Sequence, residues 1–193
     1  MNRCLNHAKH NREYLDPSWR ERYNGIERGG LMIIYHGSTV PVQEPKIFNS
    51  GRTLDFGSGF YATYNREQSM RWAERVAVRR NTDSRFITEY EFAQEDAKRQ
   101  LRIVSFVEPD EKWLDFICSN RSGRTPDMPY DIAIGPVAND VVYTAVALYE
   151  QGLLDKDEAI KRLKVQKLYS QILFHTEASL QFCKYIRHEM IGG

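Results

Sequence analysis

Three stretches of the chain place side chains able to hold a polar ligand beside backbone that glycine leaves open. The first is Tyr35-His36-Gly37-Ser38-Thr39. An imidazole and a hydroxyl flank a glycine there, a corner that can hydrogen-bond a ribose hydroxyl or a carboxamide. A lone histidine at a strand end is more often structural, so this stretch specifies nothing alone. The second is Arg52-Thr53-Leu54-Asp55-Phe56-Gly57-Ser58-Gly59-Phe60-Tyr61. Its glycines permit close backbone approach to a ligand, and Tyr61 offers an aromatic face with a polar tip. Trp72, farther along, could supply a second aromatic wall. The bland alternative is a turn with core aromatics. Gly-Ser-Gly is not the dinucleotide fingerprint, and the strand–helix–strand frame of that fingerprint is missing. The third is Ser170-Gln171-Ile172-Leu173-Phe174-His175-Thr176-Glu177. Gln171 opens an apolar strand, where an amide either satisfies the strand end or faces a ligand.

These stretches need elements to carry them. Met32 to Tyr35 reads as a strand, and Phe60 to Tyr64 as a strand end. Asn65 can cap a helix over residues 66–80, in which Met70, Ala73 and Ala77 recur at helical spacing. Alternation predicts strands over 86–92 and 100–106. Pro109 starts a short helix through Cys118, and 130–134 forms another strand, stopped by Gly135-Pro136. Helices follow over 140–151 and 155–164, then a strand over 168–175 and a final helix over 177–190. The mixed order predicts an α+β domain rather than a doubly wound sheet.

Composition sets the outer limits. The 193 residues carry 27 Lys+Arg against 26 Asp+Glu, a net charge of +1, so the chain is not a broadly basic nucleic-acid binder. The length suits one domain with an arm. Residues 1–30 hold more Lys and Arg than acids and read as a basic N-terminal arm before a domain over 31–193. The three cysteines are scattered, with no Cys/His cluster, so neither a disulfide framework nor a metal site is expected. No apolar run is long enough for a membrane span and no secretory signal is visible, which predicts a cytoplasmic protein.

Taken together and in order, the stretches resemble the NAD-dependent ADP-ribosyltransferase superfamily. More narrowly, they look like a bacterial family of unknown function within it. Its pattern runs Tyr-His-Gly-Ser, Asp-Phe-Gly-x-Gly-Phe-Tyr, Tyr-Asp-x-x-x-Gly-Pro-Val-Ala and Gln-x-x-Phe-His-Thr-Glu. Here those are residues 35–38, 55–61, 130–138 and 171–177. The resemblance implies a split antiparallel sheet with a cleft for NAD as substrate, and a His-Tyr-Glu triad. Carried over, His36 would contact a ribose diol, and the Gly37 backbone would hold the nicotinamide carboxamide. Tyr61 would stack on the nicotinamide, with Trp72 opposite. Ser38, Arg52 and Gly59 fall within the matched cofactor-binding stretches, Arg52 as a candidate for the pyrophosphate. The triad's acid maps to Gln171, a departure, because an amide brings no charge to an oxocarbenium-like state. The resemblance further implies a toxin held by a partner antitoxin and a protein or nucleic-acid acceptor. The alternatives are an NAD glycohydrolase and an NAD-binding pseudoenzyme or interaction module.

Overall fold

The computed structural model describes residues 27–28, 31–48, 54–124, 129–136, 140–164 and 169–192. Arg52 and most of the basic arm lie outside the described residues. The fold is α+β, as the element order predicts. Eight strands are described: β1 (Glu27–Arg28), β2 (Leu31–Ser38), β3 (Phe60–Ala62), β4 (Arg85–Phe92), β5 (Ile103–Ser105), β6 (Ile132–Pro136), β7 (Ser170–Phe174) and β8 (Cys183–Gly192). The helices are α1 (Arg66–Arg80), α2 (Gln94–Gln100), α3 (Glu111–Arg121), α4 (Asp140–Glu150), α5 (Lys156–Lys164) and α6 (Glu177–Leu180).

The strands form two four-stranded sheets, ordered β1-β2-β4-β8 and β3-β7-β6-β5. The first is antiparallel throughout. The second is not, because β5 and β6 run parallel across a crossover through α3. The sheets face each other. Met32 and Ile34 of β2 and Tyr90 and Phe92 of β4 meet Phe60, Ile134, Ile172 and Phe174 from the second sheet. Alternation puts their neighbours on the outer faces. Ile33, Tyr35 and Ile87 face α1 through Met70. Ala133 and Leu173 join Phe56, Trp113, Leu114, Val146 and Leu163 in a second cluster. Trp113 is fully buried there, and its indole N–H donates to the Pro136 carbonyl at 3.1 Å.

Local signals account for most boundaries. Asn65 caps α1 by accepting from Gln68 N–H at 2.9 Å, and Asn81 closes it with a left-handed φ of 51°. Asp110 caps α3 through Trp113 N–H at 2.8 Å, one residue after Pro109. Gly135 and Pro136 do not stop the predicted 130–134 strand but pair with Gln171 and Ser170 as its last residues, and three further expectations need correcting. The predicted 177–190 helix stops after one turn, and the rest becomes β8. There Ala93 N–H takes the Phe182 carbonyl at 2.9 Å, and the open edge of β4 recruits a segment rich in Tyr and Ile. The predicted 100–106 strand begins only at Ile103, because residues 94–100 form α2. The first strand continues to Ser38, so His36, Gly37 and Ser38 lie within β2 and not beyond it.

Two substitutions test this account by urea denaturation. Phe174→Ala, in the shared core, should cost about 3–5 kcal/mol. Asn65→Ala, which removes only a cap, should cost about 1 kcal/mol.

Candidate active site at the fork between the sheets

Strand β2 and Thr63, the residue after β3, form one backbone pair. Tyr35 N–H donates to Thr63 O at 2.8 Å and Thr63 N–H to Tyr35 O at 2.9 Å, an isolated bridge between the sheets. The Thr63 hydroxyl donates to the Ser170 carbonyl at 2.8 Å, tying the same point to the start of β7. Beyond the bridge the strands part. In antiparallel pairing, alternate residues turn both backbone groups to one side. Tyr35 spends its pair on Thr63, so Gly37, two residues on, turns its own N–H and C=O into the fork. A side chain at Gly37 is excluded for a different reason. Its Cβ would lie 2.0 Å from the Ser69 carbonyl and 2.9 Å from Ala73 N, so glycine lets α1 press directly onto β2.

His36 fills the throat of the fork. Its Nδ1 lies 2.7 Å from the Tyr61 carbonyl, and its ring rests on Phe60 at 4.8 Å. A carbonyl only accepts, so Nδ1 carries the proton and Nε2 is a bare acceptor in the neutral ring. Burial pushes the pKa of His36 below 6.5, and the bond to Tyr61 only partly opposes it. The imidazole is therefore neutral near pH 7 and presents a lone pair. The Ser38 hydroxyl is committed to the Val40 carbonyl at 2.6 Å.

Tyr61 emerges from a loop whose carbonyls are taken one after another. Leu54 O accepts from Gly57 N–H at 3.0 Å. Asp55 O accepts from Asn120 Nδ2 at 3.1 Å, and Phe56 O from the Tyr130 hydroxyl at 2.6 Å. Gly57 O accepts from the Tyr61 hydroxyl at 2.6 Å, and Ser58 O from His175 Nδ1 at 2.7 Å. The rings of Tyr130 and His175 stack at 4.8 Å. Gly57 and Gly59 both have positive φ, and a Cβ on Gly59 would lie 2.2 Å from the Phe174 carbonyl. Gly59 thus lets the loop lie against β7. Burial, reinforced by nearby Asp55, raises the pKa of Tyr61 far above that of a free phenol, so its hydroxyl keeps its proton.

Two of the three acids in the matched stretches anchor this loop and its surroundings. Asp55 pairs with Arg121 Nε at 2.8 Å, with both side chains mostly buried. Asp131 accepts from Arg102 N–H, Arg102 Nε and the Thr176 hydroxyl. Partial burial works against its charge, but these hydrogen bonds outweigh it and hold Asp131 below the usual aspartate range. Glu177 is exposed in the first turn of α6.

Gln171 lies on β7 opposite Gly135 and is 7% exposed. Its Nε2 is buried with no hydrogen-bond partner among the described residues. Tyr61 pairs with Leu173, two residues on, so Tyr61 and Gln171 share one face of their sheet. His36, Tyr61 and Gln171 lie on the adjoining strands β2, β3 and β7, but His36 packs on Phe60, on the opposite face of β3 from the side chains of Tyr61 and Gln171. Trp72 stands apart. It is 46% exposed, lies under the Arg79 guanidinium at 5.0 Å, and makes no ring pair with Tyr61 among the described residues. Sequence reasoning missed Asn120 and Arg121. It quoted Tyr130 and His175 without assigning them the loop, and their place in the matched stretches was the available signal. Among the described residues, no group of three His, Cys, Asp or Glu could hold a metal ion, and no helix is long and apolar enough to cross a membrane.

Two outcomes follow. Tyr130→Phe leaves the Phe56 carbonyl unpaired and should cost about 1–3 kcal/mol, with faster amide exchange in the 54–59 loop. Because the folded pKa of His36 lies below 6.5, the unfolded chain takes up its proton first as pH falls. Stability is therefore unaffected by this group above that pH and declines below it. His36→Gln should flatten the decline when unfolding free energy is measured between neutral and mildly acidic pH.

No curated protein matches the chain. The model of a family described as a protein of unknown function (DUF3990) matches residues 32–185, from β2 into β8 and including every residue of the fork and its loop. The match covers most of the sequence, and the chain belongs to this family.

Proposed function

We propose that the chain is an NAD-dependent mono-ADP-ribosyltransferase whose pocket is the fork between β2 and β3. The observation that carries this reading is the set of unspent polar groups on the strands that form and adjoin the fork. The Gly37 N–H and C=O match the acceptor and donor of a nicotinamide carboxamide. The bare Nε2 of neutral His36 can accept from a ribose hydroxyl. The Tyr61 hydroxyl is already used, so its ring would act through its face, stacking on nicotinamide. The buried, unpaired amide of Gln171 costs free energy until a ligand meets it. Two sheets joined at one bridge also support the split-sheet fold that the sequence resemblance implies.

In the reaction, the bond between the ribose anomeric carbon and the nicotinamide nitrogen breaks, and nicotinamide leaves with the electron pair. A nucleophile on the acceptor then bonds to that carbon and loses its proton. Neutral His36 and Gln171 bring hydrogen bonds to this event and no charge. A second reading, an NAD-binding pseudoenzyme, is favoured by that lack of charge, since Asp55 and Asp131 are held by arginines. Action as a toxin neutralised by an antitoxin rests on the resemblance alone.

Labelled NAD incubated with the protein and a cell lysate tests the reading. Label should enter a macromolecular fraction, and NAD should raise the melting temperature. His36→Ala and Tyr61→Ala should abolish transfer while circular dichroism keeps its native form. Free ADP-ribose as the sole product would indicate a glycohydrolase. A melting shift without cleavage would indicate the pseudoenzyme, and neither response would overturn the NAD site. Gln171→Glu should lower cleavage if the amide belongs to the chemistry and raise it if the amide replaced a lost acid.

A further inference from the structure

The outer side of α1 is basic, aromatic and adjacent to the fork. The helix carries Arg66, Arg71, Arg75, Arg79 and Arg80 against Glu67 and Glu74. Arg66 is paired with Glu189 at 2.5 Å, and Arg71 lies a loose 3.9 Å from Glu67. Glu67 and Glu74, seven residues apart, occupy one flank. Trp72 and Arg79, also seven apart, occupy the other with Arg75 beside them. The acids therefore do not interrupt the Trp72 side.

Two aromatic rings, Trp72 on its own flank and Tyr169 beside Arg71 toward the Glu67 flank, each lie under a guanidinium. Arg79 covers Trp72 at 5.0 Å, and Arg71 reaches off the helix to cover Tyr169 at 4.8 Å. Arg79 spends its Nε on the Arg75 carbonyl at 3.3 Å, and the terminal N–H donors of a guanidinium over a ring can still meet phosphate oxygens while the opposite ring face takes another flat group. The placement is specific as well. Tyr169 immediately precedes Ser170 and Gln171 of β7. Ala73, next to Trp72, abuts Gly37. Arg80 at the far end donates to the Thr39 hydroxyl at 3.0 Å, just past β2. The basic, aromatic side of α1 runs along the mouth of the fork.

From this we infer that α1 and Tyr169 form a binding surface for single-stranded nucleic acid, which delivers the acceptor strand to the fork. The part about delivery rests on the transferase reading above; the binding surface does not. Spaced arginines suit a phosphate backbone, and the two rings suit unstacked bases. A duplex keeps its bases stacked away from such rings. An acidic polypeptide would meet the charges but gain nothing from the rings.

The test uses the full chain with labelled short single-stranded RNA and DNA, a matching duplex, and polyglutamate, by fluorescence anisotropy across a salt series. Single strands should bind at least about tenfold more tightly than duplex or polyglutamate. Trp72→Ala should weaken single-strand binding about tenfold. The double variant Arg75→Ala/Arg79→Ala should lower the slope of log affinity against log salt by about 1.4, roughly 0.7 for each phosphate contact. These side chains are exposed, so the variants should keep the parent melting temperature. No single-strand binding, no effect of Trp72→Ala, or equal binding of polyglutamate would each overturn the surface. The NAD-induced melting shift, measured in parallel on the parent and the double variant, reads the fork separately. Its absence in the parent, with oligonucleotide binding intact, would overturn the delivery step and leave the binding surface standing.

Discussion

Two hydrogen bonds between Tyr35 and Thr63 decide the shape of this molecule. Had β2 and β3 paired along their length, the two sheets would have merged and Gly37 would have spent its backbone groups on a neighbour. Pairing at one residue leaves an open edge beyond it. His36 keeps that edge open, because its ring donates to the Tyr61 carbonyl where a backbone amide would otherwise do so. The helix that follows β3 then presses on the outside of β2, a contact that Gly37 allows by having no side chain. The open edge and the absent side chain serve different ends at one residue. The first offers a ligand two polar groups, and the second brings α1 to the rim.

The loop before β3 makes the second constraint. A glycine-containing loop is ordinarily costly to hold in one conformation, since its backbone loses much freedom on ordering. Here five successive carbonyls from Leu54 to Ser58 are bound, four of them by side chains from α3, β3 and the segments flanking β6 and β7. Each such bond contributes modestly, about 0.5–1.5 kcal/mol net. Their effect on position is larger, because together they leave the loop little room to shift. Tyr61 is both a product of this arrangement and part of it: its hydroxyl closes one of the bonds and its ring is fixed thereby.

How much of this the sequence reveals follows from what each signal depends on. Helix α1 was legible because its cap, apolar spacing and basic end are all local. The pairing of His36 with Tyr61 was not, since it depends on strands that meet only in three dimensions. Grouping His36, Tyr61 and Gln171 came from resemblance, and no periodicity could have supplied it. The failed helix over 177–190 shows the opposite case. Its first turn has a local signal in Thr176 and Ser179, but beyond Phe182 the unfilled edge of β4 outweighs local preference. Asp55 and Asp131 are acids in matched stretches, and residue type alone would admit them to the chemistry. Arg121 and Arg102, one distant in sequence from each, turn them into anchors.

That last point bears on what the fork can do. The three buried acids of the described residues that carry an ion pair are Asp55, Asp131 and Glu89, held by Arg121, Arg102 and Arg187. Freeing any of them would leave a buried arginine or carboxylate uncompensated, a penalty that opposes recruiting them for catalysis. The fork itself offers a neutral imidazole and a backbone amide pair, with the Gln171 amide on β7, two strands from β2. On the proposed reading, such a set meets hydroxyls and a carboxamide by direction and not by charge. If positive charge develops in a ligand there, the compensating negative charge must come from the ligand's own phosphates or from the incoming acceptor. A polyanionic acceptor led along α1 would bring that charge with it, which gives the basic rim and the charge-poor fork one common rationale.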